Sequence, residues 1–244
     1  MHGISLSNIT VILNNPRYPE NIGAAARCCK NTCIRRLRVV RPERMDMDKI
    51  RKMATHEALD ILESMQVYDN LMDAVSDLHF LVGTTARTGR KRRPTHSPRN
   101  IAEKIVRFGK DVKVGLLFGS EKWGLNNHDL SLCSSIVRIP SGEFSSINLA
   151  QSVMILCYEI FTAEAAGNTA IEKPRLATFR EKEGMYNHLS QVFEAIGLFE
   201  KQTPSYWMLN ARKLFNHKPV TAKDVKMVRG FLRQVAWALK HARD

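Results

Sequence analysis

The sequence predicts an α/β protein with a parallel sheet flanked by helices, followed by an all-helical extension at the carboxyl end. Through the first two thirds of the chain, short apolar segments rich in β-branched residues alternate with segments of helical spacing. This alternation is typical of a parallel sheet with helices on both faces. After a stretch rich in Gly, Asn and Thr, helical spacing continues alone. We therefore predict a sheet domain over residues 1–166, a linker over 167–178 and a helical extension over 179–244.

Five segments of the sheet domain have the composition of buried strands. In chain order they are residues 9–13, 37–40, 78–83, 113–118 and 136–139. Helices are expected between them: one capped by Asn21, a long stretch over 48–75 that breaks near Val67, and one over 101–108. An apolar helix follows the last strand over 145–166, and serines just before such a helix commonly cap it.

Three helices are predicted in the extension, over residues 179–196, 205–216 and 221–241. Thr221, followed three residues later by Asp224, has the pattern of a capping box at the start of the last helix. Four large aromatic residues fall at helical spacings, and we expect them to lie in the core of the extension rather than to stack on bases. They are Trp207, Phe215, Phe231 and Trp237.

The chain is strongly basic, with 37 Lys and Arg against 24 Asp and Glu and a net charge of +13. This balance indicates a polyanionic partner, either a nucleic acid or an anionic membrane surface. Residues 167–244 hold 14 basic and 7 acidic residues, so about half of the net charge lies there. Residues 87–99 have no acidic residue, which favours a phosphate-binding arm over a solvated loop. The cations of this arm are Arg87, Arg90, Lys91, Arg92, Arg93 and Arg99.

Several classes of protein are disfavoured by what the sequence lacks. No apolar run is long enough to span a membrane and the amino terminus has no signal-peptide pattern, so we expect a cytoplasmic protein. The five cysteines form no C-x-x-C pair and no His-x-x-x-His accompanies them, which predicts reduced, mostly buried thiols and no metal site. The motifs of dinucleotide-binding proteins, P-loop NTPases, serine hydrolases and zinc proteases are absent from the sequence.

Small or hydroxylic residues directly follow three of the predicted strands. These segments are Thr84-Thr85-Ala86, Gly119-Ser120-Glu121 and Ser145-Ser146-Ile147-Asn148. The carboxyl ends of parallel strands meet at one edge of a sheet, where open α/β sheets bind ligands. We therefore expect one pocket for an uncharged or zwitterionic ligand, held through backbone groups and hydroxyls. Taken alone, the serines are equally well explained as a helix cap.

Three patterns in these segments resemble the motifs of the SPOUT class of RNA ribose 2′-O-methyltransferases, the TrmH family, in order and in spacing. They are Asn21-x-Gly23-x-x-x-Arg27, then Phe118-Gly119-x-Glu121-x-x-Gly124-Leu125, then Ile139-Pro140 with Ser145-Ser146-x-Asn148-Leu149-Ala150. The segment Val82–Arg87 and the helical extension are most similar to the tRNA methyltransferases of this class that act on the cytidine or uridine opening the anticodon loop. One departure is Ser120, where bacterial relatives commonly have Arg, and Lys122 is a candidate to replace that charge.

The resemblance covers nearly the whole chain and implies a detailed architecture. The sheet domain would end in a deep trefoil knot that binds S-adenosylmethionine, and a homodimer would form its active sites across the subunit interface. The implied cofactor-binding residues are Thr84, Thr85, Ala86, Gly119, Glu121, Ile139, Ser145, Ser146, Ile147 and Leu149. The implied catalytic residues are Arg27, Ser146 and Asn148, and the residues that maintain the motifs are Asn21, Gly23 and Gly124. Arg87, Arg90, Lys91, Arg92 and Arg93 would contact RNA.

The implied reaction moves a methyl group from S-adenosylmethionine to the ribose 2′-OH of a tRNA nucleotide. The hydroxyl must lose its proton, and a guanidinium that stays protonated in proteins is a poor base. We therefore expect Arg27 to orient the nucleotide through its phosphate and to stabilise the developing alkoxide. A phosphate oxygen, a water or Ser146 would accept the proton.

Two alternatives stay open at the level of the sequence. A related enzyme of the same class would methylate ribosomal RNA or another tRNA position. A catalytically silent protein with the same fold would only bind RNA, although the presence of Arg27, Ser146 and Asn148 argues against it.

Overall fold

The computed structural model describes residues 4–87, 96–144, 146–167, 174–200, 203–216 and 219–241. The chain divides into two compact units, Met1–Lys173 and Pro174–Asp244. This division falls inside the expected linker, whose limits at 167 and 178 stay a prediction.

The first unit contains a six-stranded sheet in which every pairing is parallel, as predicted. Its strands are β1 (Ile9–Asn14), β2 (Arg36–Val40), β3 (Gln66–Tyr68), β4 (Phe80–Thr84), β5 (Val114–Phe118) and β6 (Ser135–Val137). They lie in the order β3-β2-β1-β5-β4-β6. All residues of β1 and β5 are buried, because helices cover both faces of the central strands.

The described residues of the first unit form seven α-helices, six of which lie between strands while the seventh follows β6. They are α1 (Pro19–Asn31), α2 (Met47–Ala54), α3 (Leu59–Glu63), α4 (Leu71–Val75), α5 (Pro98–Val106), α6 (Asn127–Leu132) and α7 (Leu149–Ala165). Helix α1 packs against α2 and α7, and α5 packs against α7. The approach of α1 to α2 requires Gly23, since a Cβ atom there would lie 2.1 Å from the carbonyl oxygen of Ile50. The expected trefoil knot stays a prediction.

Two elements were not predicted from the sequence. Strand β3 is a three-residue edge strand with exposed Gln66 and Val67, so it lacks the burial that produces a recognisable pattern. Helix α6 has only six residues, although a capping box between Asn126 and Asp129 marks its start. Both elements are too short for hydrophobic periodicity to reveal them.

The expected caps of two helices were wrong. Helix α1 begins at Pro19, so Asn21 lies inside its first turn instead of capping it. Helix α7 begins at Leu149, and its N-cap is Asn148 rather than Ser145. The side-chain oxygen of Asn148 accepts hydrogen bonds from the backbone N–H groups of Ala150 at 2.9 Å and Gln151 at 3.3 Å. Ser145 itself lies outside the described residues.

The second unit consists of α8 (Phe179–Ala195), α9 (Pro204–Asn216) and α10 (Ala222–His241), close to the predicted limits. The capping box between Thr221 and Asp224 is confirmed. A small core contains Ala177, Met185, Tyr186 and Val225, with Met208, Phe215, Val220 and Val228 packed against it.

The expectation of aromatic core residues in the second unit was wrong for two of the four. Phe231 is 64% exposed and Trp237 is 58% exposed. The buried residues of α10 are Val225 and Leu232, one heptad apart, and helical geometry directs Phe231 and Trp237 away from that face. Phe215 packs against the core, and Trp207 is half-buried with its ring 6.3 Å from that of Phe193.

The described part of the chain contains no helix long and apolar enough to cross a membrane. The five cysteines are free, and three of them, Cys29, Cys133 and Cys157, are buried. This agrees with the predicted thiol state.

Candidate functional site

A cleft lies where β4, β5 and β6 end, and three loops form its walls. Its lining residues are Thr84, Thr85, Ala86, Arg87, Phe118, Gly119, Ser120, Glu121, Lys122, Trp123, Gly124, Leu125, Ile139, Ser146, Ile147, Leu149 and Ser152. The prediction that the three post-strand segments converge is confirmed. The physical reason is their parallel pairing, which brings the carboxyl ends of neighbouring strands to the same edge of the sheet.

Hydrogen bonds from the end of β4 join the neighbouring strands at the floor of the cleft. The hydroxyl of Thr84 donates to the carbonyl of Leu117 in β5 at 3.2 Å. The backbone N–H of Thr85 donates to the carbonyl of Val137 in β6 at 3.0 Å. The loop that leaves β4 is thus held between the other two strand ends.

The loop after β5 folds tightly upon itself, and two glycines make this possible. A Cβ atom at Gly119 would lie 2.1 Å from the carbonyl carbon of Gly124 and 2.2 Å from the nitrogen of Leu125. Gly124 has a φ of +60°, a conformation that residues with a side chain rarely adopt. Its N–H donates to the carbonyl of Ser120 at 2.7 Å, which closes the turn.

The three motif segments are joined by side-chain hydrogen bonds. The carboxylate of Glu121 accepts hydrogen bonds from the backbone N–H groups of Arg17 at 2.8 Å and Tyr18 at 3.3 Å. It also accepts one from the side-chain amide of Asn21 at 2.6 Å. The amide of Asn148 in turn donates to the side-chain oxygen of Asn21 at 3.1 Å. A carboxylate beside the amino terminus of α1 is further favoured by the helix dipole.

This network gives structural roles to residues that were expected to bind or to react. Both oxygens of Glu121 are occupied by α1 and the residues before it, although the side chain borders the cleft. Asn148 uses its oxygen to cap α7 and its nitrogen to bind Asn21. Direct catalytic or cofactor contacts by Glu121 and Asn148 stay predictions.

The structure brings most of the sequence-predicted site residues together. Those that line the cleft are Thr84, Thr85, Ala86, Arg87, Gly119, Glu121, Gly124, Ile139, Ser146, Ile147 and Leu149. Arg27 does not line it and is exposed on α1. Gly23 faces α2 instead. Ser145, Arg90, Lys91, Arg92 and Arg93 lie outside the described residues.

Sequence reasoning assigned no role to several lining residues, of which Trp123 is the largest. It is 64% exposed, and the ammonium nitrogen of Lys122 lies 4.7 Å from the centroid of its ring. Its position within the second motif was the available signal. Phe118, Leu125 and Ser152 complete the set.

A second polar network supports the neighbouring end of β1 and was not foreseen. The amide of buried Asn14 donates to the carboxylate of buried Asp129 at 3.2 Å, and Arg41 donates to the side-chain oxygen of Asn14 at 3.3 Å. Asp129 also accepts a hydrogen bond from the N–H of Asn126. These contacts hold α6 beside the cleft.

The residues that line the cleft suit the binding and positioning of a ligand, and no cysteine is among those described. Burial raises the pKa of the Cys133 thiol, and nearby Asp129 raises it further, so this cysteine is no thiolate nucleophile. Burial also raises the pKa of Cys28, although Arg27 opposes the shift. No cluster of three or more metal-ligating side chains occurs among the described residues. Apolar walls next to hydroxyls and backbone groups are typical of a small-molecule site.

A parallel sheet covered by helices, with a cleft at the carboxyl ends of its strands, defines an α/β protein that binds a small ligand at this edge. Within this class, the chain belongs to the SpoU rRNA Methylase family, whose model matches residues 8–158. A model of the C-terminal domain of the tRNA methyltransferase TrmJ matches residues 180–244. The protein is therefore a methyltransferase of this family, and the resemblance drawn from its motifs is confirmed.

Similar proteins align with nearly the full chain. A tRNA (cytidine/uridine/adenosine-2′-O-)-methyltransferase TrmJ of Pseudomonas aeruginosa (strain UCBPP-PA14) is 33% identical, covering 98% of this chain and 99% of the relative. A tRNA (cytidine/uridine-2′-O-)-methyltransferase TrmJ of Sodalis glossinidius (strain morsitans) is 33% identical over 94% and 92% of the two chains. The crystal structure of TrmJ from Z. mobilis ZM4 superposes with a TM-score of 0.81 and 28% identity, covering 93% and 98%.

Proposed function

We propose that this protein transfers the methyl group of S-adenosylmethionine to the ribose 2′-OH of a tRNA nucleotide, the cytidine or uridine that opens the anticodon loop. The observation that carries the proposal is the cleft, in which the loops bearing the second and third motifs meet. Hydrogen bonds from Glu121 and Asn148 join these loops to Asn21 of the first motif, which lies in α1. The near-full-length relatives named as tRNA 2′-O-methyltransferases favour tRNA as the substrate. Such an enzyme would work in the cytoplasm as a homodimer, with a trefoil knot around the cofactor.

The residues of the cleft fit this cofactor. Ile139, Ile147 and Leu149 offer apolar side chains to the adenine ring of the cofactor, while Ser146 offers a hydroxyl to its ribose or amino-acid group. The hydroxyl of Thr85 is already hydrogen-bonded to the backbone of Arg87. When bound, S-adenosylmethionine supplies an electrophilic methyl group. The task of the protein is to hold the 2′-OH in line with that group. The closed Gly119–Leu125 turn provides a fixed wall for this purpose.

The second unit carries a surface suited to RNA. Along α10, Lys226, Arg229, Arg233, Trp237 and Lys240 follow one another at intervals of three or four residues and are all exposed. They therefore share one face of the helix. Within the described part of the chain, none of the four cations forms a salt bridge. Such a basic face binds phosphates, and we propose that it acts together with the arm at 87–99.

Arg27 is proposed to act in the cleft of a second subunit. On its own chain it lies on the exposed surface of α1 and away from the cleft lining. A homodimer in which α1 faces the cleft of the other copy would place this guanidinium beside the substrate. There it would bind a phosphate and stabilise the developing alkoxide, because it stays protonated. A phosphate oxygen, a water or Ser146 would take the proton.

The substrate is tested by incubating the protein with labelled S-adenosylmethionine and either full-length tRNA or ribosomal RNA transcripts. We expect one 2′-O-methyl group at the first anticodon-loop nucleotide, located by mass spectrometry of nuclease fragments. Methylation of ribosomal RNA alone would establish the rival function, which the name of the matching family model favours. A chain that binds tRNA but shows no heat of S-adenosylmethionine binding in calorimetry would be an RNA-binding protein only.

Mixed dimers test the cross-subunit role of Arg27. Arg27→Ala and Ile139→Arg, which places a charged chain in the cleft, should each be inactive alone. In a mixed dimer, the Ile139→Arg subunit supplies Arg27 to the intact cleft of the other, so about half of the wild-type activity per dimer should return. Mixed dimers without activity would show that Arg27 serves its own subunit or none.

A further inference from the structure

Trp123 presents a large aromatic surface to solvent at the cleft. The side chain is 64% exposed and borders the cleft, whereas Phe118, five residues earlier, is only 1% exposed. An exposed tryptophan ring keeps apolar area in contact with water, which burial against a ligand would remove. The exposed ring is therefore available to stack against a flat partner.

The loop that carries Trp123 is held in place on both sides. The backbone N–H of Trp123 donates to the hydroxyl of Ser120 at 3.2 Å, and Gly124 closes the turn onto the same residue. Glu121 anchors the loop to Asn21 and to the N–H groups before α1. A platform with a fixed backbone loses little conformational entropy when a ligand stacks on it.

Two cations that line the same cleft indicate the kind of partner. The Lys122 ammonium lies 4.7 Å from the ring centroid. Arg87 lines the same cleft, with a guanidinium nitrogen 3.9 Å from the position that a Cβ atom on Gly124 would occupy. Among the described residues that line the cleft, Glu121 is the single acidic side chain against Arg87 and Lys122, so the net charge of the lining is positive. An aromatic face with adjacent cations is the combination that holds unpaired bases together with their phosphates.

From this arrangement we infer that Trp123 is a positioning residue on which an unpaired base of the substrate RNA stacks, while Lys122 and Arg87 contact the flanking phosphates. The inference rests on the proposed function and adds the contact by which the loop nucleotide is held next to the methyl donor. The adenine of the cofactor is a second flat ring that could stack there. The exposure of Trp123 and its cationic neighbours favour RNA.

The kinetics of Trp123→Ala distinguish an RNA base from the adenine of the cofactor as the stacking partner. Loss of one stacking contact should raise the KM for tRNA by about 10- to 100-fold while kcat and the KM for S-adenosylmethionine stay within about twofold. Trp123→Phe should restore most of the tRNA affinity, because its ring still stacks. Val67→Ala, an exposed apolar residue on the opposite sheet edge at β3, is the matched control and should behave as wild type.

Fluorescence gives a readout that does not depend on turnover. Replacing Trp207 and Trp237 by Phe leaves Trp123 as the single tryptophan of the three in the chain. Full-length tRNA should quench its emission, and S-adenosylmethionine alone should not.

Three results for Trp123→Ala would overturn the inference. An unchanged KM for tRNA would show that the ring makes no contact with the RNA. A raised KM for S-adenosylmethionine would assign the ring to the cofactor, and elution of Trp123→Ala as a monomer in size-exclusion chromatography would assign it to a subunit interface. Wild-type protein that fails to methylate tRNA would instead refute the proposed function. Active wild type with an equally active Trp123→Ala refutes the stacking role alone.

Discussion

The two units of this protein bury different shares of their apolar residues. In the sheet unit they fill a core around β1 and β5, where every residue is buried. The helical unit has a small core and is much shorter, yet among the described residues it exposes as many large apolar side chains as the sheet unit, seven in each. Those of the helical unit are Ile196, Tyr206, Leu214, Met227, Phe231, Val235 and Trp237. In the sheet unit, hydrogen bonds hold the loops in place around a cleft. The helical unit leaves a broad basic and aromatic surface, which suits a large polyanion.

A buried cation in each unit illustrates how burial acts on charge. In the sheet unit the guanidinium of Arg38 forms two hydrogen bonds to the carboxylate of Asp77, at 2.7 and 3.2 Å. In the helical unit Lys182 is 6% exposed and packs with its ammonium 4.0 Å from the centroid of the Phe179 ring. The carboxylate of Asp77 favours the charge of Arg38, whereas burial disfavours the charged form of Lys182.

The largest effect is expected from Gly119→Ala, which disrupts the close packing of the turn after β5 in the sheet unit. The added methyl group would meet the backbone of Gly124 at 2.1 Å, and backbone cannot move aside as a flexible side chain can. We expect about 3 kcal/mol of destabilisation and no S-adenosylmethionine binding detectable by calorimetry. Gly142→Ala is the control, because nothing lies within 4 Å of its Cβ position. Equal binding by both variants would show that the turn tolerates rearrangement.

The next effect tests the surface of the helical unit. Changing Lys226, Arg229, Arg233 and Lys240 to Gln should weaken tRNA binding about 100-fold and reduce the slope of log affinity against log salt by about 3. S-adenosylmethionine affinity should stay unchanged. The control variant Arg107→Gln/Lys110→Gln removes exposed cations just before β5, at the sheet end away from the cleft. A similar loss of tRNA affinity in that control would mean that net charge, not the α10 face, determines binding.

A smaller effect concerns the ion pair of the sheet unit. Partial burial opposes ionisation of Asp77, but hydrogen bonds and charge from Arg38 and Lys113 outweigh it and lower its pKa from 3.8 to about 2. Because the folded pKa is depressed, this stabilisation is present above pH 4 and is lost as the pH falls towards 2. Asp77→Asn should cost about 2 kcal/mol at pH 7 by leaving buried Arg38 poorly paired, and should flatten the acid dependence.

Urea unfolding between pH 2 and 7, followed by Trp123 emission in the Trp207→Phe/Trp237→Phe background, measures this effect. An acid profile of Asp77→Asn that matches the parent protein would rule out Asp77 as its source.

The smallest effect concerns the helical unit, and it is a gain of stability rather than a loss. Burial lowers the pKa of Lys182 from 10.5 to about 8, with Glu183 opposing the shift. Between pH 8 and 10.5 the unfolded chain therefore binds more protons, so stability rises with pH over this window. Lys182→Met should stabilise the unit by about 1 kcal/mol at pH 7 and remove that rise. Denaturation followed by Trp207 and Trp237 emission in a Trp123→Phe background measures the stability gain at pH 7 and the dependence of stability on pH. A Lys182→Met variant that is less stable than its parent would contradict the expectation.

Residue patterns were sufficient to predict the parallel sheet, the main helices and the convergence of the three loops. Strand composition identifies buried strands, and parallel pairing then requires Thr85, Gly119 and Ser146 to meet at one edge. These properties follow from local patterns and from the geometry of any parallel sheet, so the amino-acid sequence alone is enough to predict them.

Properties that depend on contacts between distant segments could not be predicted. Asn148, rather than a serine, caps α7, and it is held there by Asn21, which lies 127 positions earlier in the chain. Glu121 accepts hydrogen bonds at the amino terminus of α1, and Arg27 is not among the residues that line the cleft of its own chain. Trp237 is exposed because the core of the second unit needs only one face of α10. In each case several partners were compatible with the local sequence, and three-dimensional packing selected one of them.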